Sequence, residues 1–222
     1  MLIAIVGAES TGKTALAAAL CERLSAATGW RCAAVPELLR GWCDREGRTP
    51  HPDEQAGIAQ AQTDAIDAAV LSNDLVICDT TALMTAIYSD YLFDDASLLP
   101  GALAFHRRCA LTLLTALDLP WVADGMQRDG PHVQAPVDAA IRSALRAGGV
   151  AWSVIAGQGP QRVEAALDAI TPLMKPQSPP GSGLFTRLQA RQAAQIEWRW
   201  PCDCDVPECE HATQAIQRAS SK

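Results

Sequence analysis

Lysine is nearly missing from this chain. Its 18 basic residues include only three lysines, Lys13, Lys175 and Lys222, so Lys13 stands alone ahead of the C-terminal tail. Basic charge as a whole is also short, since 25 Asp and Glu leave a formal net charge of −7. General affinity for nucleic acid or an anionic membrane needs a surplus of positive charge, and none is present. A local basic pocket for a phosphorylated ligand stays open. Long apolar runs are missing too. No stretch approaches the ~18 uninterrupted apolar residues of a membrane-spanning helix. The first apolar segment has no basic residues before it and runs straight into a polar turn, so it does not read as a signal peptide. The chain is expected in the cytoplasm. No internal repeat is found.

What remains is the composition of a globular domain, 222 residues with 49% hydrophobic and 19% charged, enough for one sizeable core and a small appendage. Short apolar runs alternate with longer helical patterns. Leu2–Val6, Arg31–Val35, Leu75–Cys78, Trp121–Ala123 and Gly149–Ile155 read as five strands. Helices are expected over Thr14–Ala27, from Pro36 to Asp44, from Pro52 onward, and over Ala82–Leu92, Leu103–Ala116 and Arg162–Ile170. Alternating strands and helices predict an α/β fold, a parallel five-stranded sheet flanked by helices. Residues 1–174 form the expected domain. The run KPQSPPGSG, residues 175–183, is a linker by its proline and glycine, and residues 184–222 hold a helix and a cysteine-rich tail.

The isolated lysine belongs to a pattern. Gly7-x4-Gly12-Lys13-Thr14 sits between the first strand and the first helix, the spacing of a P-loop. Gly7 permits the turn out of the strand and Gly12 lets the backbone approach a phosphate. Amides of Glu9, Ser10, Thr11, Gly12, Lys13, Thr14 and Ala15 would converge on the anion at the positive end of the helix. Lys13 would reach the β- and γ-phosphates, and the Thr14 hydroxyl would ligate Mg²⁺. ATP with Mg²⁺ is therefore the expected cofactor. No N-K-x-D guanine motif is present.

Other candidates surround this loop. Asp79 ends the third strand, facing the crevice where parallel sheets bind ligands. It would hold Mg²⁺ through water or accept a proton from an attacking hydroxyl, unless it merely caps the next helix. Glu37 follows the second strand and would bind a substrate hydroxyl, although carboxylates at helix starts are common. In PWVADGMQRDGPH, Arg128 lies on a segment suited to a lid and would offset charge on a transferring phosphate. Arg142, Arg146 and Arg162 read mostly as solvated helix faces. Trp30, Trp42 and Trp121 read as core.

These stretches in this order resemble the P-loop kinase domains of the nicotinamide riboside kinase type found in NadR proteins. The resemblance runs through GAESTGKTALAAAL, PELLRGW, the Asp53–Gln62 spacing D-x4-A-x2-Q, CDTTALMTAIYSDYLF, PWVADGMQRDG and the G-x4-R-x2-A of Gly157–Ala165. It covers roughly residues 1 to 172. It implies a central P-loop strand, ATP as phosphoryl donor, Asp79 serving the acceptor 5′-hydroxyl or the metal, and Glu37 on the ribose side. The family's lid looks like D-G-x-R, and Arg128 stands one residue later.

Cysteines divide into two groups. Cys21, Cys32, Cys43, Cys78 and Cys109 are scattered among apolar neighbours and read as buried reduced thiols. Cys202, Cys204, Cys209 and His211 form C-x-C-x4-C-x-H, three thiolates and an imidazole that suit tetrahedral Zn²⁺. Free thiols in an acidic tail, or a redox pair at Cys202 and Cys204, are the alternatives. The functional expectation is ATP-dependent phosphorylation of a small hydroxyl acceptor, nicotinamide riboside foremost. The competing reading is an ATPase or GTPase switch whose zinc tail engages a protein partner.

Overall fold

The computed structural model describes residues 1–123 and 130–174. Arg128, the linker and the cysteine-rich tail with Cys202, Cys204, Cys209 and His211 lie outside the described residues. Met1–Met174 forms one compact unit.

Five strands, β1 (Leu2–Val6), β2 (Cys32–Val35), β3 (Leu75–Asp79), β4 (Leu111–Thr115) and β5 (Trp152–Ile155), make one sheet in the order β2-β3-β1-β4-β5. Every neighbouring pair is parallel. Among the described residues seven α-helices connect or follow them: α1 (Lys13–Thr28), α2 (Leu38–Glu46), α3 (Gln55–Ser72), α4 (Ala82–Phe93), α5 (Leu99–His106), α6 (Gln134–Ala147) and α7 (Pro160–Met174). Side chains alternate across a strand, so Ile3 and Ile5 pack with Leu16, Leu20 and Leu24 of α1 and Ile170 of α7 on one face. Val6 and Leu114 meet Leu83, Ile87, Val137 and Ile141, from α4 and α6, on the other. Central strands covered on both faces read as unbroken apolar runs, and β1 and β3 are buried at every residue.

The sheet has the expected number of strands, but the fourth is a different segment. LTLLT, expected within a helix over Leu103–Ala116, is β4 and lies beside β1 in the sheet. Helix α5 ends at His106. Trp121–Ala123 forms no strand and runs in the loop after β4. Leucine and alanine favour helix locally, and five residues are too few to display a period of two. The pairing with Ile3–Val6 decided the matter.

Among the described residues no helix is long and apolar enough to cross a membrane. The five described cysteines are free; Cys43 and Cys78 are buried, the others partly so. Burial pushes the thiols of Cys78 and Cys109 up, the latter to about 12, which leaves them as packing groups.

Candidate functional site

The loop that leaves β1 is shaped by close approach. An added Cβ on Gly7 would stand 2.0 Å from Thr115 Oγ1 on β4, so only glycine fits there. Thr115 Oγ1 lies 2.7 Å from Thr11 Oγ1 and donates to Val6 O at 3.2 Å. Thr11 Oγ1 donates to Ala8 O at 2.7 Å. Gly12 caps α1 in the left-handed region, at φ 77°, which delivers Lys13 and Thr14 to the first helical turn. Lys13 Nζ donates to Gly7 O at 3.0 Å and Ala8 O at 2.9 Å, within the loop itself.

A second set of bonds holds the loop from outside. Arg162, expected on a solvated face of α7, is only 4% exposed. Its guanidinium donates to Thr11 O at 3.2 Å, Ile155 O at 3.3 Å and Gly157 O at 2.8 Å, and pairs with Asp118. Asp118 also accepts from Gly157 N at 2.6 Å. Four acceptors around one planar cation offset its desolvation, and they tie the loop to the ends of β4 and β5. On the other side Glu9 Oε1 accepts from Trp121 Nε1 at 3.3 Å and Gly130 N at 3.1 Å, while Ser10 Oγ accepts from Val122 N at 2.8 Å. Trp121 thus belongs to the loop's surroundings instead of the core. Trp42 is likewise half-buried, beneath the Arg48 guanidinium at 4.9 Å, and Trp30 packs at the edge of the α1 cluster.

A cavity of about 350 Å³ opens on this loop. Glu9, Ser10, Thr11, Gly12, Lys13, Thr14 and Ala15 line one end. The rest of its wall comes from Glu37, Leu39, Arg40 and Cys43 near α2, Thr49 and Pro50 after it, Gln55 at the start of α3, and Met84, Tyr88, Leu92 and Phe93 on α4. That size and mixed lining suit a small molecule. Glu37 occupies the N-cap position of α2, yet its side chain makes no cap bond. The peptide groups beside it are held by Gln62, which accepts from Leu38 N at 2.8 Å and donates to Pro36 O at 3.1 Å.

Asp79 is not among the lining residues. It ends β3 at 3% exposure, with Oδ1 buried and making no hydrogen bond. The next helix is capped by Thr81, whose hydroxyl accepts from Leu83 N at 3.3 Å, so Asp79 does not serve as that cap. Between them Thr80 sits at φ 77°, and its Oγ1 is also buried without a partner. A β-branched residue in this region costs about 1–3 kcal/mol, strain that clusters at functional sites. Oxygen donors such as the Asp79 carboxylate and Thr14 hydroxyl are of the kind that a hard divalent cation takes.

Sequence reading gave no role to Gln55, Arg162 or the α4 wall, although Arg162 falls in the G-x4-R-x2-A stretch and the wall in CDTTALMTAIYSDYLF. One signal for the wall was available: Met84, Tyr88 and Leu92 recur at four-residue spacing, on one helix face. Nothing local marks Gln55.

Among solved structures, one of NadR in complex with NAD and AMP-PNP superposes with a TM-score of 0.61 at 20% identity. The match covers 77% of this chain and 48% of that one, so the chain spans about half the NadR length. A NadR structure in complex with NR gives 0.60 over the same shares. Thymidylate kinase from Ehrlichia chaffeensis is similar at a TM-score of 0.56 and 17% identity, over 79% of this chain and 98% of that one. At these identities the likeness establishes the fold, a P-loop kinase-like one. No curated protein sequence matches significantly. The AAA domain family AAA_28 matches residues 2–162. That match takes in the glycine-rich turn, its lone lysine and all five strands of the sheet, and the chain belongs to this AAA domain family.

Proposed function

We propose that the chain is a P-loop kinase that transfers the γ-phosphoryl group of ATP to a hydroxyl of a nucleoside-like acceptor, nicotinamide riboside being the first choice. One observation carries this reading: the cavity that opens on the phosphate loop is also walled by Glu37, Gln55, Tyr88 and Phe93, residues from α2, α3 and α4 that lie outside the loop. Hydrolysis needs only water beside the loop, whereas transfer to a nucleoside needs a walled space next to it. The fold shared with NadR in complex with NR, and with thymidylate kinase, supports an acceptor of that size.

In this reading the loop amides and Lys13 balance charge on the transferring phosphoryl group. The acceptor oxygen forms the new P–O bond, the bond between the β–γ bridging oxygen and γ-phosphorus breaks, and ADP leaves. Asp79 takes the hydroxyl proton or helps hold Mg²⁺ with Thr14, and Glu37 orients the acceptor. Bound Mg²⁺ would supply further charge neutralisation at the phosphates. Arg128, outside the described residues, keeps its proposed place over the phosphoryl group. Phosphorylation of nicotinamide riboside would place the protein in NAD salvage.

The test is a nucleoside panel with ATP, read as ADP release. Release that depends on an added nucleoside is expected, largest with nicotinamide riboside. Release at one rate with or without nucleosides would overturn the reading in favour of a nucleotide switch.

A further inference from the structure

Gln55 is the first residue of α3, is 4% exposed, and lies on the cavity wall. Polar neighbours on the same segment have their needs met within the chain. Gln62, two turns along, is bonded at both ends of its amide. Glu54 accepts from Arg48 through both oxygens at 2.7 Å, and from His51 N at 2.7 Å. The Gln55 amide makes no hydrogen bond to any described residue, and it is not sealed away as Asp79 Oδ1 and Thr80 Oγ1 are, which leaves it open to the cavity. An amide that bonds to nothing in the fold and opens on the cavity adds no stability, so the fold by itself gives no reason for glutamine here. Leucine or methionine would fill the same volume. The surrounding wall includes Leu39, Met84, Tyr88 and Phe93, an apolar and aromatic surface suited to a flat ring.

A primary amide presents two N–H donors and a carbonyl acceptor in one plane. Its natural complement is a ring that carries a donor beside an acceptor, such as a carboxamide or the imide edge of a pyrimidine. We propose that Gln55 determines acceptor specificity by pairing its amide with such an edge. This rests on the reading of the cavity wall beyond the phosphate loop as the acceptor site. The specificity arises because a ring without the complementary edge leaves the buried amide unpaired.

The experiment compares wild type with Gln55→Leu on three probes at saturating ATP. Nicotinamide riboside and thymidine carry a donor beside an acceptor, and nicotinic acid riboside carries the same ring as the first with a carboxylate instead. Removing the amide should lower kcat/KM for the first two by ~10–100-fold, leave nicotinic acid riboside within ~3-fold, and leave the KM for ATP unchanged. The midpoint of thermal unfolding should hold or rise, because the fold does not use the amide. Equal losses on all three probes, or none, would overturn the proposal while leaving the kinase reading in place. If the wild type phosphorylates none of them, calorimetric binding of the same probes decides. Binding of nicotinamide riboside or thymidine that the variant loses upholds Gln55 and removes the kinase reading. Unchanged binding, or no binding to the wild type, overturns Gln55.

Discussion

Asp79 and Thr80 put two buried oxygens without hydrogen bonds side by side at the end of β3. The fold tolerates both, and a positive φ at Thr80 as well, at the end of the strand paired with the one that leads into the phosphate loop. Asp79→Asn keeps the shape and removes the charge. It should lower kcat by at least ~10²-fold, the scale of a lost general base, with a much smaller change in affinity for AMP-PNP. Steady-state rates and calorimetric titration on one preparation check this, and equal losses in both would reduce Asp79 to a structural group. Lys13, Thr14, Glu37 and Asp79 were legible as candidates because a motif or a strand end marked each one. Gln55 was not, and Arg162 stood in a family-like stretch without a role. An arginine on a helix reads as solvated until Asp118 and the carbonyls of Thr11, Ile155 and Gly157 are brought around it.

Among the elements, α5 and β4 meet at a residue whose titration can be measured. His106 is fully buried, with Nδ1 3.1 Å from Thr81 Oγ1 and Nε2 2.8 Å from Thr112 Oγ1. The ring thereby braces the N-cap of α4 against the strand next to β1. Burial lowers its pKa to about 4, from an ordinary 6.5. Between those values the unfolded chain binds the proton and the folded chain does not, so stability rises with pH through the window. It is lost as pH falls from 6.5 toward 4, up to about 3 kcal/mol. Urea unfolding at pH 7 and pH 5 should show the drop in wild type and a smaller one in His106→Gln. Lowered carboxylates do not imitate this: Glu54, held near 2 by Arg48, loses its contribution only below its unfolded value of 4.5. The same segment shows why β4 was misread. Its leucines and flanking alanines carry a helical preference worth tenths of a kcal/mol per residue, and a paired, doubly buried strand outweighs it.

For the whole molecule, the P-loop lies at the end of the central strand, with β3 and β4 on either side. That position lets β4 supply Thr115 and β3 supply Asp79 around one turn. The tail is argued from its cysteines alone. If Cys202, Cys204, Cys209 and His211 bind zinc, purified protein should carry about one equivalent, and Cys202→Ser should release it while ATP turnover persists. Metal-free wild type, prepared without chelators, would end that assignment. The P-loop, the α/β class and the parallel sheet could be determined from sequence alone, because a phosphate cradle needs fixed residue spacing and buried strands need apolar runs. Only the tertiary structure decided which leucine-rich segment became the fourth strand, that Arg162 is buried, and that Gln55 faces a cavity beside Tyr88. Each of those depends on partners distant in the chain, and burial by distant partners leaves no mark on local spacing.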